Sequence, residues 1–168
     1  MAKLKGKKAL TKAINEFTQK EFGVTAVFGN EFQALTDDKI IEFTLAVDKD
    51  MQECVIDDME ARFPDIQTSM FVWLLMHEIG HCMTAEEWDM DDETYFAKAK
   101  DRLMDYWTTD AHEDVVARNE WYHLIGDEYF ATRWAGRWMR GNPKKMKKFA
   151  KRTNKAFKKF FKKNGLTK

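Results

Sequence analysis

The 168-residue chain reads as an α+β domain that is predominantly α, with a small antiparallel or mixed sheet near its start. Three observations predict this. Apolar residues recur at helical spacing through most of the chain. Two short strand-like runs, rich in β-branched and aromatic residues, interrupt that pattern before residue 48. The composition, 44% hydrophobic and 14% aromatic, is enough for one real core and argues against disorder. Residues 1–141 are expected to form one domain, and residues 142–168 a basic amphipathic C-terminal helix or tail.

Lys7 to Phe22 is predicted helical, because Leu10, Ile14, Phe17 and Phe22 form an apolar stripe that Gly23 ends. Val24 to Phe28 is the first strand-like run. Ile40 to Val47 is the second, with Ile41, Phe43, Leu45 and Val47 on one face and Glu42 and Thr44 on the other. The link from Phe32 to Leu35 is read as a third strand. Lys49 to Phe63 follows as a helix with Met51, Val55, Met59 and Ala61 inward, broken by Pro64. Asp65 or Thr68 is placed to cap the next helix, which runs to about Met83. An acidic loop, Glu86 to Asp92, precedes a helix from Glu93 to Trp107 with Phe96, Leu103 and Trp107 inward. A long helical pattern then runs from Ala111 to about Arg140 and stops at Gly141-Asn142-Pro143.

The helix capped near Asp65 carries the chemistry. Seven apolar residues, Met70 to Met76, run into His77-Glu78-Ile79-Gly80-His81, the pattern H-E-x-x-H. Residues four apart on a helix share a face, so both imidazoles aim at one point. Zinc takes N, O or S donors in a tetrahedron, and a catalytic site uses three protein ligands. One Zn2+ ion is therefore expected, held in part by His77 and His81. Glu78 falls between them and is the expected general base. Gly80 costs such a helix about 1 kcal/mol relative to Ala, which makes sense if another backbone packs closely there.

The third ligand must come from another element. His112, Glu113, Glu120, His123, Asp127 and Glu128 are candidates, and spacing alone does not choose. Glu128 shares a face with Ala131, Thr132 and Ala135, small residues that would let its helix approach the ion and Gly80. That favours Glu128, with His112 as the competing choice.

The two segments His77-Glu-Ile-Gly-His81 and Glu128-Tyr-Phe-Ala131-Thr132-Arg-Trp-Ala135 resemble the gluzincin metallopeptidases, in which a second helix carries E-x-x-A-D. The short chain is similar to the minimal gluzincins of bacteria and their phages, including the ImmA/IrrE-like type, in which a small sheet precedes the motif helix. The resemblance covers about a third of the chain. It implies a zincin-like domain, His77, His81 and Glu128 as zinc ligands, and Glu78 as general base. The family's Asp falls on Thr132. That Asp usually hydrogen-bonds a ligand His, a role Thr132 can fill only without charge and that Asp110, Asp114 or Asp127 could take over.

The expected reaction is peptide-bond hydrolysis, in which Glu78 takes a proton from the attacking water and returns it to the leaving amine. Ile40 to Val47 is the expected edge strand for an extended protein or peptide substrate. Tyr122, His123 and His112 are candidates for an oxyanion contact. The readings from other classes are a zinc-containing module that binds protein or DNA without cleaving, and a DNA-associated protease with His112 as third ligand. Net charge is zero, yet residues 142–168 carry no Asp or Glu. This basic segment could bind nucleic acid, lie on an anionic surface, dock on the acidic loop, or pack its apolar stripe on the domain. No apolar run is long enough for a transmembrane span, no secretory h-region follows the basic start, and Cys54 and Cys82 form no pair motif. A cytoplasmic protein is the expectation.

Overall fold

The computed structural model describes residues 5–45, 56, 59–60, 62–85 and 126–165. Its main elements are α1 (Lys7–Phe22), β1 (Thr25–Phe28), β2 (Gln33–Leu35), β3 (Ile40–Phe43), α2 (Met70–Thr84), α3 (Gly126–Gly141) and α4 (Pro143–Asn164). The fold is mostly helical with one small mixed sheet, an α+β arrangement.

Helix α1 has the predicted bounds. Gly23 ends it at φ 69°, a left-handed conformation that suits glycine. The Gly23 N–H donates to Gln19 O at 3.0 Å, the single closure of an αL cap, and the Val24 N–H donates to Thr18 O at 3.3 Å. Leu10 and Ile14 are buried as expected. Thr18 shares their face, while Phe17 and Phe22 are only half-buried. The Asn15 side chain accepts the Ala26 N–H at 2.8 Å and stitches α1 to β1.

The strand order is β1-β3-β2. β1 runs parallel to β3 with Thr25 opposite Ile40, and β2 runs antiparallel to β3 with Gln33 opposite Glu42. This corrects the edge assignment: Ile40–Phe43 is the central strand, hydrogen-bonded on both sides. The third strand folds back as a hairpin whose turn closes with the Lys39 N–H on Thr36 O, and so takes the edge position. Glu42, on the outer face, accepts the Asn30 N–H at 2.5 Å and the Gln33 side chain at 3.1 Å, and so braces the link between β1 and β2.

Helix α2 is buried on nearly every side, including Val72 to His77, Ile79, Gly80 and Cys82. Phe71 near its start meets the Phe43 ring, and the Cys82 thiol near its end reaches Ile40 O at 4.0 Å. It therefore runs antiparallel to β3 and in the same direction as β2. Ser69 occupies the cap position without a side-chain hydrogen bond, so neither Asp65 nor Thr68 caps the helix. Asp65 instead takes a two-pronged ion pair from Arg140 at the end of α3, one arm at 2.8 Å. The turn closed by Ile66 N–H on Phe63 O carries Asp65 outward to that partner.

Helix α4 lies antiparallel to α1. Its end meets the start of α1 through Lys5 and Asn164, Phe149 stacks on Phe17 with centroids 4.0 Å apart, and Lys145 pairs with Glu21 at 2.6 Å. Phe149 and Phe160 join the same core as Leu10, Ile41, Phe43 and Trp73. Of the helix expected over 49–63, Ile56, Met59, Glu60 and Arg62 are helical, with Met59 fully buried. The acidic loop, the helix expected over 93–107 and the first half of the long pattern from Ala111 lie outside the described residues. Among the described residues no helix is long and apolar enough to cross a membrane.

Candidate metal centre

The centre forms where α2 crosses α3. Closeness is set by Gly80: a methyl added there would lie 2.8 Å from Ala131 Cα, inside van der Waals contact. Ala131, Thr132 and Ala135 are buried on the facing side of α3. The small residues on both helices thus bring their backbones together, and Glu128, one turn before Thr132, is carried over the two imidazoles.

Three donor atoms converge. Glu128 Oε2 lies 2.8 Å from His77 Nε2 and 3.5 Å from His81 Nε2, and the two Nε2 atoms are 3.2 Å apart. The imidazole planes stand at 87° to each other. Four donors arranged tetrahedrally about 2.05 Å from one ion would be roughly 3.3 Å apart. The observed separations bracket that value. The donor chemistry, two imidazoles and a carboxylate, is also that of catalytic zinc sites. His77, His81 and Glu128 could therefore hold a metal ion. His77 is sealed, with 3% of its side chain exposed, whereas His81 and Glu128 keep 13% and 16%. The cluster has one wet side.

The electrostatics follow from this packing. Burial alone would raise the Glu128 carboxyl, but the hydrogen bonds from His77 and His81 and their charge hold it well below the usual carboxylate range. Glu78, partly buried beside them, is pushed the other way. Desolvation raises its carboxyl, the two histidines pull it back, and the charge on Glu128 raises it further. Cys82 is pushed up to about 11, mainly by burial and then by Glu78, so it is a packing thiol rather than a nucleophile.

Thr132 completes the arrangement. Its Oγ1 lies 3.2 Å from His77 Nδ1, in a position only 1% exposed. The residue that stands where the gluzincin pattern has Asp therefore contacts the far nitrogen of His77. His77, Glu78, His81 and Glu128 all lie among the described residues. His112, Glu113, Glu120, Tyr122, His123, Asp110 and Asp114 lie outside them, and so does the side chain of Asp127. This contact is the one the sequence pattern pointed to, because the position that carries Asp in the gluzincin pattern falls on Thr132.

Compared with known proteins, the chain matches no family model, no curated protein and no solved structure.

Proposed function

We propose that the protein is a zinc-dependent metallopeptidase with a zincin-like fold, in which His77, His81 and Glu128 hold one Zn2+. The observation that carries this reading is the convergence of the three donor atoms at separations of 2.8, 3.2 and 3.5 Å. A zinc ion there would acidify water and polarise a peptide carbonyl. The remaining work falls to the chain. For Nε2 of His77 to serve as a ligand, its proton must sit on Nδ1, where Thr132 Oγ1 can accept it. Glu78 takes the proton released by the attacking water and passes it to the departing amine. An extended peptide would add to the outer side of β2, which has no strand partner among the described residues. β2 runs alongside α2, so a peptide there would pass the wet side of the cluster.

The test is paired. Wild type and Glu78→Gln should each purify with one zinc, measured by elemental mass spectrometry, and only wild type should cleave a mixed peptide library. Glu128→Ala should lose the zinc. A wild-type protein without zinc overturns the whole reading. One specific observation favours a second reading: the uncharged Thr132 supports His77 more weakly than a carboxylate would. A zinc-containing module that binds without cleaving would keep the metal in wild type and show no cleavage of any peptide.

A further inference from the structure

Helix α4 leaves a cationic face that the metal centre does not use. Its apolar side is sealed: Phe149 and Phe160 are each 2% exposed and Thr153 is 1% exposed. Between α1 and the second half of α4 runs a groove of about 280 Å³. Its floor is Gly6, Ala9, Ala156 and Phe160, and its wall is Arg152, Lys155, Lys159 and Lys163. Arg152 is held by Glu16 of α1. Lys155, Lys159 and Lys163 pair with no carboxylate among the described residues, and residues 142–168 contain none. Of the acids of α1, Glu21 lies toward the other half of α4, where it pairs with Lys145, and Glu16 is taken up by Arg152 at one end of the groove. At the groove's end the first turn of α1 carries no acid either.

We propose that this groove binds the phosphate backbone of a nucleic-acid strand, without reading its bases. Lys155, Lys159 and Lys163 repeat every four residues, about 6 Å along the helix. That repeat is close to the spacing of successive phosphates in an extended strand, so the row presents one ammonium per phosphate. A second row, Lys151 and Lys158, borders it and widens the field. A lipid surface fits less well. Interfacial helices insert an apolar face, and the apolar face of α4 is already spent on α1 and the sheet. The inference is independent of the metal centre and holds whether or not the protein cleaves peptides.

The experiment measures fluorescence anisotropy of a labelled oligonucleotide, single-stranded and as duplex, against the full chain over a range of salt. Wild type should bind, with affinity falling steeply as salt rises. The variant Lys155→Glu/Lys159→Glu/Lys163→Glu should weaken binding by more than about tenfold and lower the salt slope by about three. The control Lys144→Glu/Lys147→Glu/Lys148→Glu makes the same charge change on the same helix away from the groove, and should weaken it far less. Circular dichroism monitors folding. If the first variant unfolds, alanine at the same three positions replaces it and should show the same ranking. Equal losses in the two triple variants, no binding by wild type, or tighter binding to phosphatidylserine vesicles than to either oligonucleotide would each overturn the proposal.

Discussion

Thr132 and Gly80 carry most of the sequence-specific information in the centre. Thr132 touches His77 Nδ1 at 3.2 Å. Thr132→Val keeps the shape and removes the oxygen, and so leaves a buried N–H unpaired, at a cost of about 1–3 kcal/mol. Zinc affinity should fall about tenfold, read by competition with a chromogenic chelator, while the metal-free protein, whose His77 proton can sit on Nε2 against Glu128 Oε2 at 2.8 Å, melts at a nearly unchanged temperature. Gly80 tests the packing. In an open helix Gly→Ala gains about 1 kcal/mol. Here the added methyl meets the Ala131 backbone, which is not the end of a flexible side chain and cannot swing away. Overpacking of this kind costs about 1–3 kcal/mol, so the clash wins. Gly80→Ala should melt at lower temperature and hold zinc more weakly, because the helices must part. The two histidines were legible from spacing alone, since period and chemistry coincide within one helix. Glu128 was legible only as the preferred member of a set, because a contact between helices depends on how far apart they pack.

The helices were the most readable elements. Leu10 and Ile14 of α1 fall inward where helical periodicity put them, and the amphipathic character expected of α4 appears as burial of Phe149, Thr153 and Phe160. The sheet was less readable. Its strands were found, but their order was not, because pairing of β1 with β3 across the intervening hairpin leaves no local trace. Asp65 is a similar case: an acidic residue just before a helix suits a cap, yet a guanidinium 75 positions away claims it. That clamp ties the approach to α2 to the end of α3, and it sets a pH dependence. Arg140's hydrogen bonds hold the Asp65 carboxyl below its ordinary value of 3.8. A group lowered in this way adds stability above the ordinary value and loses it as pH falls through the lowered one. Asp65→Asn should therefore melt earlier than wild type at neutral pH, and the gap should close in acid. Urea melts at several pH values measure this.

At the scale of the molecule, α2 sits at the centre, with the sheet along one flank and α3 along another. A metal ion at the crossing of α2 and α3 would tie two elements far apart in sequence. Binding to the folded state alone stabilises it by about 4 kcal/mol when free ion exceeds the dissociation constant a thousandfold. Chelation should then lower the melting temperature of wild type by several degrees and leave Glu128→Ala unmoved. Calorimetry with and without chelator checks this, and equal shifts in both proteins would place the stabilising ion elsewhere.

The seam between α1 and α4 has a mechanical side. The Lys5 N–H donates to the Asn164 side chain at 2.8 Å, and that side chain donates back to Lys5 O at 2.8 Å. The first turn of α1 and the last turn of α4 thus meet at Lys5 and Asn164. Tension applied at these two points would peel the helices apart like a zipper, one turn after another. It would not load the whole seam at once. Pulled in a single-molecule instrument, the protein should yield at low force, with α4 leaving first and the crossing of α2 and α3 last.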